Sequence, residues 1–281
     1  MVNLDLNDQH IAIIGGGNIG SAIAKGLLLT GKYSPNQIII TRRNVHMLKP
    51  FGEKGCIIQA DNCDAVRRSN IIIIAVLPQQ LKDLLTEIKS DLIPEKHILV
   101  TVVSGVSTHE ILKLIEKNLQ IVRIMPNIAI GIRESMTCIA SENASNETID
   151  LVKLIFDQVG TTLIIKEEKM IPATALGACG IAFFLRAIRA ASQGGIEIGF
   201  HSYEAIPMAA QTAKGAAGLL LSIKNHPEME IDKVTTPEGC TIAGLNEMEH
   251  KGFSSAMIKG ITTSSEKASQ LYKNNNELEK Q

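Results

Sequence analysis

Four isoleucines in succession, Ile71–Ile74, run on into Ala75 and Val76, and no other stretch constrains the fold of this chain so tightly. A β-strand turns successive side chains to opposite faces, so a run with no polar alternation must be covered on both sides. Such strands belong in a sheet enclosed between layers of helix. Further candidate strands are His10–Ile14, Gln37–Thr41, Cys56–Gln59, Asn70–Val76 around the isoleucines, His97–Val103, Gln120–Met125, Met136–Ala140 and Thr161–Lys166. Helical patterns fall between them near residues 19–30, 79–90, 107–118 and 146–158. Strand alternating with helix predicts an α/β domain over residues 1–166, built on a doubly wound, mostly parallel sheet.

After Lys166 no strand candidate remains, and residues 167–281 read as a second, all-α domain. Residues 168–199 form an almost unbroken run of small and apolar side chains. A helix apolar all round must be buried on every side, and this half of the chain is too short to bury it alone. A second copy related by two-fold symmetry is the economical cover, so a C-terminal dimerisation domain and a homodimer are expected.

The 281 residues suit two domains, and at 45% apolar they can fill both cores. Lys plus Arg (28) balance Asp plus Glu (29), which leaves no electrostatic footprint for nucleic acid or an anionic membrane. The run Ile71–Leu77 is far short of the roughly 20 residues that a membrane helix needs, and the polar first residues carry no secretory pattern. Five cysteines without CxxC pairing read as reduced thiols, which predicts a cytoplasmic protein and no metal site. The polar tail from Lys273 is expected to fray.

The first strand leads into Gly15, Gly17 and Gly20 in the spacing G-x-G-x-x-G, and a helical pattern follows. In that context the first glycine permits a tight turn, the second lets backbone approach a pyrophosphate, and the third lets helix pack on strand. This is the start of a Rossmann-type dinucleotide domain. The end of the second strand carries Thr41, Arg42 and Arg43, where NAD binders place a carboxylate. Guanidinium groups attract a 2′-phosphate, so NADPH is expected, with NADH admitted as the weaker alternative.

In this order along nearly the whole chain the residues resemble the Δ1-pyrroline-5-carboxylate reductase family. The resemblance is carried by the glycine loop with Asn18, by "NCDAVRRSNIIIIAVLPQ", "VRIMPNIAIGIRESMT", "ALGACGIAF" and "AAQTAKGAAGLLL", and most specifically by "HPEMEIDKVTTPEGCTIAGLNEMEHKGF". It implies reduction of Δ1-pyrroline-5-carboxylate to proline by hydride from NADPH, in a homodimer with the active site near its interface, and it admits a higher ring of dimers. It also implies site residues. Gly15, Gly17, Asn18, Ile19 and Gly20 would hold the pyrophosphate, Thr41, Arg42 and Arg43 the 2′-phosphate, and Asn62 the adenosine. Ala75, Val76, Leu77 and Pro78, then Ser104 and Gly105, would line the cofactor. Thr236, Gly239, Cys240 and Thr241 would surround the imino-acid substrate, with Thr241 as the catalytic residue. The chain departs from the family pattern at Leu77 (usually Lys), Ile128 (Thr), Ala178–Cys179, Ile181–Phe183, Glu238 (Gly) and Cys240.

Read physically, Val234–Leu245 is a helix start with Thr236 as N-cap and Pro237 at the first helical position, leaving the N–H groups of Gly239, Cys240 and Thr241 for an anion. It contains no base and only one acid, Glu238, expected to point away from a bound carboxylate. A protonated imine needs only a hydride aimed at its carbon, so orientation suffices and Thr241 would hydrogen-bond the ring nitrogen. The competing readings are a reductase of a related cyclic imine, such as a six-membered ring, and an inactive NADP-binding dimer.

Overall fold

A computed structural model describes residues 9–277, with side chains through residue 270. Its eight strands are β1 (Ile11–Ile14), β2 (Ile38–Thr41), β3 (Ile57–Gln59), β4 (Ile71–Ile74), β5 (Ile98–Thr101), β6 (Gln120–Met125), β7 (Ser135–Ala140) and β8 (Gly160–Ile164). They form one sheet in the order β3-β2-β1-β4-β5-β6-β7-β8. Every pair is parallel except β6 with β7, which is antiparallel with Ile124 opposite Ile139.

The isoleucine run sits where its composition requires. Ile71 and Ile73 join one apolar cluster with Ile11, Ile13, Leu27, Val152 and Phe156. Ile72 and Ile74 join the other with Ile14, Leu81, Leu85, Leu99 and Ile111. All four isoleucines are at most 1% exposed. Burying one such side chain contributes about 1.5–3 kcal/mol, so the pattern holds both helix layers to the sheet. Helices Asn18–Leu29, Leu81–Ile88, Thr108–Ile115 and Asn146–Phe156 stand where periodicity placed them, and the helix Asn62–Arg67 is an addition. Ser107 and Ser145 cap two of them, accepting from the N–H groups of Glu110 and Thr148.

The described residues divide into two compact units: residues 9–178 with 264–277, and residues 179–263. The second contains helices Gly180–Glu197, Ser202–Ile223, Pro227–Val234 and Cys240–His250, and the last helix, Phe253–Glu277, begins within it. That last helix continues through the tail expected to fray as far as Glu277, and the rest of the tail lies outside the described residues. Within residues 179–263 only Gly180, Ser192 and Ala205 are buried.

The helical stretch Glu167–Glu197, 31 residues with a mean hydropathy of 1.7 over its most apolar window, is long and apolar enough to cross a membrane. Only 11% of that window is fully buried among the described residues.

Candidate active site

The order of the strands reverses at β1: β2 and β3 lie to one side of it and β4 to the other. A crevice opens at such a switch point, beyond the carboxyl ends of the strands. The residues expected at the cofactor lie along this edge: Gly15–Gly20 after β1, Thr41–Arg43 at the end of β2, Ala75–Pro78 after β4, and Ser104 and Gly105 after β5. Backbone bonds lock the loops in register. Gly15 and Gly16 N–H donate to Thr41 O, Ala75 N–H to Ile14 O, and Val102 N–H to Ile74 O.

The three glycines meet three different conditions. Gly15 has φ 106°, and a Cβ there would lie 2.5 Å from Ala75 O. A Cβ on Gly20 would lie 2.1 Å from Gly15 O, so helix and loop touch through backbone. Gly17 faces open space, with no atom within 4 Å of where a Cβ would stand. Gly17 is also the N-cap of Asn18–Leu29, has no side-chain cap, and is followed by a first turn without acid. Uncapped N–H groups at an open glycine fit a pyrophosphate.

Thr41 is buried and its hydroxyl donates to Asn62 Oδ1 at 2.7 Å. Asn62 Nδ2 donates in turn to both carboxylate oxygens of Glu87, at 3.2 and 3.1 Å. Glu87 has no motif to announce it, and sequence reasoning missed it. Arg42 Nη1 donates to Gly16 O at 2.9 Å, whereas Arg43 is exposed. Leu77 and Ile128, two departures from the family pattern, are both exposed.

Another group that sequence reasoning missed lies beside β6. Arg123 and Glu167 form a buried ion pair, Nη1 to Oε1 3.0 Å. Thr108 donates to the same carboxylate through its N–H (2.8 Å) and its hydroxyl (2.7 Å). One carboxylate thus ties β6, the start of the helix Thr108–Ile115 and the segment after β8. Nearby in sequence, Asn127 Nδ2 donates to Gly177 O at 3.2 Å, within the π-helical turn Thr174–Cys179. Such turns are frequent at functional sites.

In the second unit, Thr236, Gly239, Cys240 and Thr241 come together in one turn and helix start, but not as expected. Thr236 is not the N-cap. Gly239 N–H donates to Thr236 O at 2.9 Å, which makes Thr236–Gly239 a β-turn with Pro237 second and Glu238, at φ 59°, third. The helix begins at Cys240 with Gly239 as N-cap, without a side-chain cap or an acid in its first turn. The N–H of Gly239 is therefore spent, and those of Cys240 and Thr241 are the first helical donors. A Cβ on Gly239 would lie 2.4 Å from Thr236 Oγ1, so only glycine closes this turn. Glu238 is exposed and makes no hydrogen bond or ion pair among the described residues. The same unit contains a groove of about 1470 Å³ lined by apolar side chains, among them Phe184, Ile198, Phe200, Met208 and Met248.

Comparison with known proteins gives a consistent result. Residues 10–105 match the family described as NADP oxidoreductase coenzyme F420-dependent. Residues 167–271 match the family described as pyrroline-5-carboxylate reductase dimerisation. Pyrroline-5-carboxylate reductase 1 of Dictyostelium discoideum is 53% identical over 96% of the chain, which spans about half, 51%, of that protein. Pyrroline-5-carboxylate reductase 2 of the same organism is 46% identical, over 96% of this chain and 95% of its own length. The crystal structure of Plasmodium falciparum pyrroline carboxylate reductase with NADP bound superposes with a TM-score of 0.84 at 22% identity, covering 95% of this chain and 99% of that one.

Proposed function

The chain belongs to the pyrroline-5-carboxylate reductase family, and from that premise we propose that it reduces Δ1-pyrroline-5-carboxylate to proline with NADPH. The observation that carries the reading is a pair of uncapped helix starts, each at a glycine and each without acid in its first turn: Gly17 before Asn18–Leu29 and Gly239 before Cys240–His250. The first suits the cofactor pyrophosphate and the second a substrate carboxylate.

When bound, NADPH supplies a hydride from nicotinamide C4. The chain supplies position. Gly15–Gly20 hold the pyrophosphate, the end of β2 the 2′-phosphate, and Asn62 the adenosine side. Ala75–Pro78, Ser104 and Gly105 line the nicotinamide half. In the second unit, the N–H groups of Cys240 and Thr241 take the carboxylate, and the Thr241 hydroxyl bonds the ring nitrogen. The hydride would add to the imine carbon, C2 of the pyrroline ring and C5 of the proline formed; the π electrons of C=N would pass to nitrogen, which would keep its proton in the product amine. No residue needs to act as a strong base.

The same proposal covers the assembly. The exposed apolar groove of residues 179–263 is covered by the same region of a second copy, and rings of such dimers and a cytoplasmic location complete the reading. The unpaired state of all five cysteines supports the last of these. The deciding assay follows NADPH oxidation with Δ1-pyrroline-5-carboxylate, with its six-membered homologue, and without substrate. Turnover is expected with the five-membered ring. Turnover with neither ring, in a protein that binds NADPH tightly, would refute the enzyme reading.

A further inference from the structure

We infer that Arg42 and Arg43, adjacent in sequence at the cofactor edge, do different work. Arg42 is a positioning residue for the glycine loop, and Arg43 is the residue that selects the 2′-phosphate. This rests on the NADPH reading above and divides the phosphate-binding role between two side chains that the sequence makes look equivalent.

The division comes from where the two guanidiniums stand. Gly16 is held from both sides by consecutive residues of β2 and its exit. Its N–H donates to Thr41 O at 2.7 Å, and its carbonyl accepts from Arg42 Nη1 at 2.9 Å. Ser21 Oγ donates to the same carbonyl at 3.2 Å. Arg42 is anchored in turn, because its own N–H donates to Gln59 O at 3.0 Å and extends the pairing of β2 with β3. Gly16 has no slack on its other side. A Cβ there would meet Leu48 Cδ2 at 2.6 Å and Ile40 Cγ2 at 3.1 Å. The half-buried Arg42 therefore braces a packed residue inside the loop that must present its N–H groups to pyrophosphate.

Thr41 offers nothing to a phosphate, since it is 1% exposed and its hydroxyl is committed to Asn62. Arg43 is the cation left over. It is exposed, and no hydrogen bond or ion pair engages it among the described residues. A free guanidinium pairs with two phosphate oxygens at once, which a nicotinamide cofactor lacking the 2′-phosphate cannot offer.

The test uses the full chain and two readouts. Titration calorimetry compares NADP+ and NAD+ binding to the native protein, Arg42→Ala and Arg43→Ala. Arg43→Ala is expected to weaken NADP+ by about tenfold or more while leaving NAD+ within twofold, the size of one lost charged hydrogen-bonding group. Arg42→Ala is expected to weaken both cofactors by the same factor. Hydrogen exchange without cofactor provides the second readout: Arg42→Ala speeds exchange of the amides of residues 15–20, and Arg43→Ala does not. A selective loss of NADP+ in Arg42→Ala, or unchanged exchange in that loop, overturns the brace. Unchanged NADP+ affinity in Arg43→Ala overturns the selector. Native protein that binds NAD+ as tightly as NADP+ refutes the NADPH reading and the selector with it, while the exchange measurement still decides the brace.

Discussion

Glu238 occupies a backbone conformation that suits glycine. At φ 59° its Cβ crowds the neighbouring carbonyl, a strain of about 1–2 kcal/mol for an L-residue. Glu238→Gly is expected to stabilise the second unit by about 1 kcal/mol in denaturant unfolding, whereas Glu238→Ala, which keeps the Cβ, is not. This residue also explains where the sequence misled. Thr-Pro-Glu-Gly satisfies both a helix start at Thr236 and a β-turn ending at Gly239, and a glycine at 238 would have announced the turn that the glutamate conceals. His97 supplies a second prediction at this scale. It is 1% exposed, its Nδ1 accepts from Ile93 N–H at 2.9 Å, and burial, helped by the nearby Lys96 charge, lowers its pKa from 6.5 to about 4. The folded state resists the proton that the unfolded chain accepts. Stability from this group is therefore complete above pH 6.5 and drains away as the pH falls towards 4. Denaturant unfolding at pH 5 should show a loss of about 2 kcal/mol relative to pH 7.5, and His97→Gln should flatten that slope.

Among the elements, β1, β4 and the glycine loop were the most legible, because isoleucine runs and glycine spacing state their demands within a few residues. The carboxylate that joins β6 to the helix Thr108–Ile115 was invisible for the opposite reason. Glu167, Arg123 and Thr108 are far apart along the chain, and no local pattern marks a pair whose meeting depends on the antiparallel return of β7 and the crossover to β8. Because the pair is buried, taking away one partner strands the other. Glu167→Leu should destabilise the first unit by about 3–5 kcal/mol, and Arg123→Leu combined with Glu167→Leu should cost less than Glu167→Leu alone. Thermal and denaturant unfolding of the two variants measure the difference. The reverse order of cost would mean that the pair stabilises by attraction and not by mutual compensation.

At the scale of the whole molecule, residues 179–263 expose what a single chain ought to bury. Phe184 is 60% exposed and Ile198 77%. Net charge could not reveal this, but the run of small and apolar residues through 168–199, broken by few polar side chains, did. Met208→Asp, placed in the apolar groove, should turn a dimer into monomers in sedimentation experiments while leaving the sheet unit folded. The two uncapped helix starts have a consequence for the bench. On the proposed reading each would receive an anion with no acid in its first turn, so sulfate and inorganic phosphate should compete at both. At matched ionic strength, sulfate should raise the KM for cofactor and substrate more than chloride does. Kinetics recorded in phosphate buffer would then understate how tightly this protein holds its own ligands.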